Sequence, residues 1–182
     1  MTTGRVVVGV GDSPSSLAAL RRGVQEAWRS GRVLVPVRTW EPPEGEIVYA
    51  RSPSPPLVAV WERRARQRLA DALGTVLGVE AGPGEEDLLE AVALGAAGLR
   101  IEPQVLRAPA WHALPLLATE PEDLLVLGGG GRGPLTSLLR GSVHRRVLAR
   151  AVCPVLTVAP PKAPWAVRRA LRNAEPADFV LS

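Results

Sequence analysis

The stretch of the chain best suited to chemistry is a glycine-rich loop, residues 128–142, which begins with four successive glycines and ends at Gly141 and Ser142. It directly follows an apolar run, residues 124–127, of the kind that forms buried parallel strands. Glycine has no Cβ, so it permits a sharp turn and a close approach of the backbone to a ligand. The helix predicted from Ser142 onward begins with free N–H groups and a positive dipole end, which favour anions. Strand, loop and helix start together predict a phosphate-binding site.

Two common phosphate motifs fit this loop poorly. A P-loop requires a lysine followed by serine or threonine after its last glycine, and the only lysine of the chain is Lys162. The glycines at 128, 130 and 133 do satisfy the dinucleotide pattern G-x-G-x-x-G. However, they follow the fourth predicted strand rather than the first, and no acidic residue comes after them until Glu175, too late for a ribose contact. Both motifs are therefore disfavoured.

The residue types that catalysis needs are sparse. The chain has two histidines, His112 and His144, and neither has a carboxylate at ligand spacing. Both are interpreted as helix-surface residues, although His144 follows Ser142 closely enough for a polar contact with a bound phosphate. Cys153 is the single cysteine, which excludes an intrachain disulfide and is typical of a small buried residue. We therefore predict no catalytic residue and no metal ligand.

Composition and charge argue against other classes of protein. Of the 182 residues 46% are hydrophobic, enough for one domain with a substantial core. The net charge is +4, but the arginines are dispersed and lack interleaved aromatic residues, so they predict solvated helix faces rather than a nucleic-acid surface. No apolar run has the length of a transmembrane helix, and no signal sequence precedes the first strand. These patterns predict a cytoplasmic protein that binds neither nucleic acid nor membranes.

Strand and helix patterns alternate along the chain. Apolar segments predict strands at residues 6–10, 33–37, 100–107, 124–127 and 154–158. Between them, helices are predicted from Pro14 to about Gly31 and at residues 57–77, 86–97, 110–118 and 142–150, with a proline-rich loop at residues 41–56. The alternation predicts an α/β fold, an open doubly wound sheet of five parallel strands with helices on both faces. Such sheets bind ligands at the carboxyl ends of their strands, where the winding direction reverses.

The alternating pattern ends near residue 159, so residues 1–159 are predicted to form one domain that carries the phosphate-binding loop. Residues 160–182 are predicted to be an extension with a short basic amphipathic helix, which we expect to dock on its own domain rather than on a partner or a membrane. Trp28, Trp61 and Trp111 lie on predicted helix faces and are interpreted as core residues. Trp40 is interpreted as packing at a strand end, with the lining of a pocket as the alternative.

A third spacing fits the loop without a gap: Gly128, two residues, Gly131, nine residues, then Gly141 and Ser142. With this spacing the chain resembles the ATP-binding branch of the universal stress protein family. The resemblance spans about residues 5–159 in consistent order. It includes three further segments, residues 6–16, 37–43 and 151–156.

The resemblance implies an adenine nucleotide alpha hydrolase-like sheet with strand order 3-2-1-4-5 that binds ATP, with Mg²⁺ as the counter-ion. The phosphates would contact the loop glycines and the helix start, and the adenosine would contact the strand ends. With a charge-assisted contact from Arg132, the expected binding residues are Val10, Gly11, Asp12, Val37, Leu127, Gly128, Gly131, Arg132, Gly141, Ser142 and Val143. The family commonly places an aspartate directly after the first strand, whereas here Gly11 precedes Asp12. Asp12 therefore either serves after a one-residue slip or acts as a turn residue.

These observations predict a regulatory module in which nucleotide occupancy modulates dimer or partner contacts, with little or no turnover. The resemblance also implies a homodimer, for which the apolar last strand, Val155 to Val158, is suited. One alternative is a dimeric scaffold of the same fold that binds no nucleotide, because the Gly11-Asp12 order or the proline-rich loop closes the pocket. An enzyme acting on adenylylated substrates is a third, weaker alternative, since no catalytic cluster is evident.

Overall fold

The computed structural model describes residues 4–78, 98–129 and 143–160. The helix predicted at residues 86–97 and nearly all of the C-terminal extension lie outside the described residues. So does most of the glycine-rich loop, including the predicted contacts Gly131, Arg132, Gly141 and Ser142.

Strands and helices alternate along the described chain, as predicted. The strands are β1 (Arg5–Gly9), β2 (Val33–Trp40), β3 (Gln104–Arg107), β4 (Leu124–Gly128) and β5 (Val155–Val158). The helices are α1 (Pro14–Ser30), α2 (Glu46–Tyr49), α3 (Pro55–Leu77), α4 (Ala110–Leu117) and α5, which includes residues 143–148. The predicted loop at residues 41–56 was wrong in part, because it contains α2 and the start of α3. The prolines that open α3 suit a first turn, where a missing N–H breaks no helical hydrogen bond.

All five strands pair in parallel, in the order β3-β2-β1-β4-β5, which confirms the predicted fold class and strand order. β1 lies at the centre, with Val7 opposite Val35 of β2 and Leu125 of β4. Its valines are buried on both faces of the sheet. Val6 and Val8 pack with α1 and α3 residues, whereas Val7 packs with residues of α4 and α5. This two-sided burial is the reason that the strand is an uninterrupted valine run.

Pro36 lies inside β2 without breaking the sheet. The backbone of Leu34 bonds on the β3 side, since its N–H donates to Arg100 and its carbonyl accepts from Glu102. Backbone groups alternate in direction along a strand, so the missing N–H of Pro36 also faces that side. There the pairing is interrupted between an isolated bridge at Ile101 and the first residue of β3, Gln104. The two strands therefore meet at a local gap that needs no donor from Pro36.

Helix α1 follows its sequence signals closely. The hydroxyl of Ser13 accepts a hydrogen bond from the N–H of Ser16 at 3.2 Å, and Gly31 ends the helix with a left-handed φ of 66°. Its inner face carries Leu20 and Ala27, both fully buried. The interpretation of Trp28 as a core residue was wrong, because the side chain is 61% exposed. It directly follows the buried Ala27, and one residue along a helix turns by about 100°, which places Trp28 away from the sheet.

Gly23 lets α1 lie close to the sheet. A Cβ at this position would run into Cγ2 of the fully buried Val8, one of the central valines of β1. In most helix interiors alanine is favoured over glycine by about 1 kcal/mol. Here the close approach of helix and strand reverses that preference.

Gly23→Ala is expected to lower the free energy of unfolding by about 1–3 kcal/mol, because the added methyl overpacks the core. Val8→Ala is also expected to destabilise, since it opens a cavity. The double variant should lose less than the sum of the two, because the shorter side chain at position 8 leaves room for the new methyl. Denaturant unfolding of the three variants measures this coupling, and strict additivity would contradict the contact.

Candidate functional site

A cavity of about 280 Å³ lies at the carboxyl ends of β1, β2 and β4. The chain winds from β1 to β2 on one side and from β4 to β5 on the other, so this edge is the switch point at which open α/β sheets bind ligands. The volume is near the lower end of the range for small-molecule pockets. The described residues that line the cavity are Gly9, Val10, Gly11, Ser13, Ser15, Ser16, Val37, Arg38, Thr39, Ala110, Leu114, Leu127, Gly128, Gly129, Val143 and His144.

Several predicted binding residues meet at this cavity although they are distant in the sequence. They come from the ends of β1, β2 and β4 and from α5, and they are Val10, Gly11, Val37, Leu127, Gly128 and Val143. Asp12 is not among the lining residues. The four predicted contacts between residues 130 and 142 lie outside the described residues.

One side of the cavity is apolar. Val10 and Leu127 are buried at the ends of neighbouring strands, and Leu114 of α4 packs on the same side of the sheet as Leu127. The N–H of Val10 donates to the carbonyl of Val37 at 2.8 Å, which extends the β1–β2 pairing to the rim of the cavity. A flat apolar group such as a nucleobase fits this kind of wall.

The opposite side is polar and is formed by the first turn of α1. The hydroxyl of Ser16 accepts from the N–H of Gly11 at 2.5 Å and donates to the carbonyl of Gly9 at 3.3 Å. The hydroxyls of Ser13 and Ser15 lie 3.0 Å apart. All three serines line the cavity. The helix begins beside the cavity, so the positive end of its dipole favours an anion there.

Gly128, the first residue of the glycine-rich loop, packs directly against this turn. A Cβ at Gly128 would lie 2.6 Å from the carbonyl carbon and oxygen of Ser15 and from the nitrogen of Ser16. These are backbone atoms, which cannot move aside without displacing α1 from β4. Beyond β4, the N–H of Gly129 donates to the carbonyl of Val158 at 2.6 Å, so the loop starts from a fixed position. Glycine at 128 therefore brings the loop and the start of α1 together.

His144 of α5 also lines the cavity, which corrects its interpretation as a helix-surface residue. The side chain is half-buried, and its Nε2 atom is buried without a hydrogen-bond partner among the described residues. Burial lowers the pKa of His144, because the charged imidazolium is poorly solvated there. His144 thus lines the cavity and carries a buried imidazole nitrogen that has no partner among the described residues. The sequence signal was its place two residues after Ser142.

Helix α5 is held against α4 by an aromatic contact. Two guanidinium groups lie near the ring of Trp111 of α4, with Arg146 of α5 at 5.0 Å and Arg150, just after α5, at 5.5 Å from the ring centroid. Cation–π contacts of this length are attractive and orient the two helices. Trp111 is half-buried rather than fully buried, so it acts at a helix–helix contact.

Asp12 lies outside the cavity because two arginines hold it. Its carboxylate accepts from Arg38 at 2.8 Å and from Arg68 of α3 at 3.0 Å. The hydrogen bond from Arg38 is the main cause that lowers the pKa of Asp12. Arg38 itself is nearly buried, with 8% of its surface exposed, and it also lines the cavity. Sequence reasoning missed Arg38, although a single charge inside an apolar strand was a signal.

Trp40 packs into an aromatic cluster beside the cavity. Its ring centroid lies 6.3 Å from that of Trp61, which lies 6.0 Å from Tyr49. Arg107 completes the cluster, 4.6 Å from the Tyr49 ring and bidentate to Glu46 of α2 with both distances at 2.8 Å. Trp40 therefore packs at the end of β2, as interpreted, and it is not among the residues that line the cavity.

Within residues 4–78, 98–129 and 143–160, no group of three or more His, Cys, Asp or Glu side chains is arranged to hold a metal ion. Cys153 is buried, and burial raises the pKa of its thiol. No helix in this part of the chain is both long and apolar enough to span a membrane.

Comparison with known proteins gives a consistent family. The model of the universal stress protein family matches residues 2–159. A universal stress protein of Mycolicibacterium smegmatis is 31% identical over 156 residues, which are 85% of this chain and 45% of that protein. The chain spans less than half the length of the curated relatives that it matches.

Solved structures show the same fold. A universal stress protein in complex with cAMP is 27% identical, with a TM-score of 0.50 over 88% of this chain and 100% of that chain. UspA from Lactobacillus plantarum is 20% identical, with a TM-score of 0.55 over 87% of this chain and 99% of that chain. The second likeness concerns the fold alone.

His144→Gln is expected to reduce the acid sensitivity of the fold. Because burial lowers the pKa of His144, the unfolded chain binds a proton there more readily than the folded chain. The free energy of unfolding therefore falls as the pH drops below the ordinary histidine pKa of about 6.5. Denaturant unfolding at about pH 7.5 and about pH 5.5 measures the difference. His112→Gln, at an exposed position, is the control. An unchanged pH dependence in His144→Gln would exclude this group as the cause.

Proposed function

Because the chain belongs to the universal stress protein family, we propose that it is a regulatory module that binds an adenine nucleotide, ATP in particular, in the cavity at the carboxyl ends of β1, β2 and β4. The observation that carries this proposal is the contact between Gly128 and the first turn of α1. It joins the start of a glycine-rich loop to a serine-rich helix N-terminus at the switch point of the sheet.

The phosphates are proposed to lie between this helix start and the glycine-rich loop. Ser13 and Ser15 offer hydroxyls at the cavity wall, and the first turn of α1 adds the positive end of the helix dipole. We propose further phosphate contacts from Gly131, Arg132, Gly141 and Ser142, because their spacing in the sequence fits such a loop. His144 is proposed as a further polar contact, because its buried Nε2 needs a partner.

The nucleoside is proposed to lie against the apolar side, between the ends of β1 and β2 and the side chains of Leu114 and Leu127. The cAMP bound by a structurally similar universal stress protein supports an adenine nucleotide as the class of ligand. Asp12 is not proposed as a nucleoside contact, because its carboxylate is engaged by Arg38 and Arg68.

We expect turnover to be slow or absent. The titratable side chains among the described lining residues are Arg38 and His144, so this part of the cavity offers no carboxylate as base or metal ligand. Mg²⁺ would then be held by phosphate oxygens and water rather than by the described side chains. The module would act through occupancy, by changing contacts with a second copy or a partner.

The sharpest test is to identify and titrate the ligand. Denaturation of the purified chain should release an adenine nucleotide that mass spectrometry detects, and calorimetry should show binding of added ATP. The absence of both, up to millimolar ATP, would contradict the proposal. A folded dimer with no nucleotide would favour the scaffold alternative instead.

Substitutions at Gly11 separate binding from folding. Among the described residues, a Cβ at Gly11 would meet only Ser16, whose Oγ is the nearest atom at 3.8 Å, so this part of the fold has room for a side chain at this position on the cavity wall. Gly11→Ala and then Gly11→Val are expected to weaken ATP binding progressively, by about tenfold or more for valine, while the free energy of unfolding changes by less than about 1 kcal/mol. Calorimetry and denaturant unfolding give the two quantities. Normal affinity in Gly11→Val would contradict the assigned cavity.

The dimer is proposed to form through β5, which lies at the edge of the described sheet. The carbonyl of Pro154 accepts from Leu125 of β4 and that of Val158 from Gly129 just beyond it, so the N–H of Thr157 points to the free edge. Thr157→Pro should remove this edge donor without breaking the pairing with β4, and Thr157→Val should retain it. Light scattering after size exclusion is expected to show a monomer for proline and a dimer for valine. A dimer in both variants would place the interface elsewhere.

A further inference from the structure

A groove of about 200 Å³ lies next to the cavity, on the side of α3. We call it the arginine groove, because Arg38, Arg64 and Arg68 line it together with Trp40 and Trp61. Arg38 and Thr39 line both the groove and the cavity, so the two spaces are adjacent at the end of β2. The proposed function assigns no role to the groove.

The charges in the groove are only partly balanced. Asp12 bridges Arg38 and Arg68, and Glu41 is an acidic residue in the lining. Arg64 has no hydrogen bond or ion pair with any of the residues that the structure describes. Among the described residues, three guanidinium groups thus face two carboxylates, and the donors of Arg64 have no partner there.

The way in which Asp12 is held marks the position that an anion prefers. Its carboxylate lies within hydrogen-bond distance of two arginines from different elements, at 2.8 and 3.0 Å, yet its side chain is 62% exposed. Arg38, in contrast, has only 10% of its side chain exposed, so its charge needs an anionic partner. An exposed side chain can be displaced by a ligand, whereas the buried guanidinium stays in position.

We propose that the arginine groove is a second anion-binding site, which takes a phosphate group, and that Asp12 occupies the phosphate position when no ligand is bound. Arg64 and Arg68 supply forked N–H donors that match phosphate oxygens, and the buried guanidinium of Arg38 supplies a further positive charge. Trp40 and Trp61 form an apolar side of the groove against which the body of a ligand packs. The phosphate is either a second phosphate group, on the ribose of a nucleotide bound in the cavity, or part of a separate phosphorylated ligand. The first source rests on the proposed function, and the second does not.

Calorimetric titration of the full chain with three probes tests the proposal and separates the sources. The probes are adenosine 5′-monophosphate, adenosine 3′,5′-bisphosphate and pyrophosphate. If the nucleotide supplies the phosphate, the bisphosphate should bind about tenfold or more tightly than the monophosphate, because it gains charge-assisted bonds in the groove. If a separate ligand supplies it, pyrophosphate alone should bind in a way that depends on Arg64.

Arg64→Ala is the diagnostic variant, because Arg64 is exposed and removing it breaks no described contact. It is expected to reduce the preference for the bisphosphate to near one, or to weaken pyrophosphate binding by about tenfold. Arg63→Ala is the matched control, since Arg63 is an exposed neighbour on the same helix that does not line the groove. Equal effects of the two variants would indicate a general charge effect and overturn the site.

Asp12→Asn tests whether the carboxylate of Asp12 occupies the phosphate position or serves only to stabilise the fold. If Asp12 occupies the phosphate position, the uncharged amide should compete less well, and phosphate affinity should rise severalfold. Unchanged or weaker phosphate binding in a folded Asp12→Asn variant would overturn this part of the proposal. Binding of pyrophosphate that depends on Arg64, in a chain that binds neither nucleotide, would leave the groove standing and reject the proposed function. No Arg64-dependent binding of any probe would reject the groove.

Discussion

The contact between Gly128 and the backbone of Ser15 and Ser16 is the constraint on which the rest of the site depends. It joins the end of β4 to the beginning of α1, two parts of the chain that more than a hundred residues separate. Because backbone meets backbone, the spacing cannot be adjusted by a change of rotamer. The serine hydroxyls, the helix N–H groups and the start of the glycine-rich loop inherit their relative positions from this single contact.

A second constraint is the burial of Arg38 at the end of β2. Its neighbours along the strand, Val37 and Thr39, line the cavity with it, while its guanidinium turns toward α3 and meets Asp12. A charge in this environment needs a partner, and Asp12 supplies it from a loop that leaves β1. In this chain Gly11 precedes Asp12, the reverse of the order that the resemblance implies. In the structure, the carboxylate of Asp12 accordingly faces arginines rather than the cavity.

Local sequence patterns were sufficient for the fold and for the part of the site that backbone forms. The valine run of β1, the serine cap of α1 and the glycine that ends β4 each predict their own conformation, and parallel pairing then brings strand ends such as Val10 and Leu127 together. Side-chain destinations were less predictable. Arg38 and Asp12 are 26 residues apart, and the direction of His144 depends on how α5 packs. No local pattern encodes such contacts.

The gap beside Pro36 makes the pairing of β3 with β2 shorter than the pairing of β2 with β1. β2 is paired with β1 along Val33–Val37, but it joins β3 mainly through the four pairs from Val37 to Trp40, beyond the gap. Local opening of a protein follows such weak junctions, so amide protons of β3 should exchange with solvent through excursions that leave the β1–β2–β4 centre closed. The junction ends at Trp40 and Arg107, beside the arginine groove. Ligand binding in the arginine groove would therefore slow the exchange of the β3 amide protons with solvent before that of other strands.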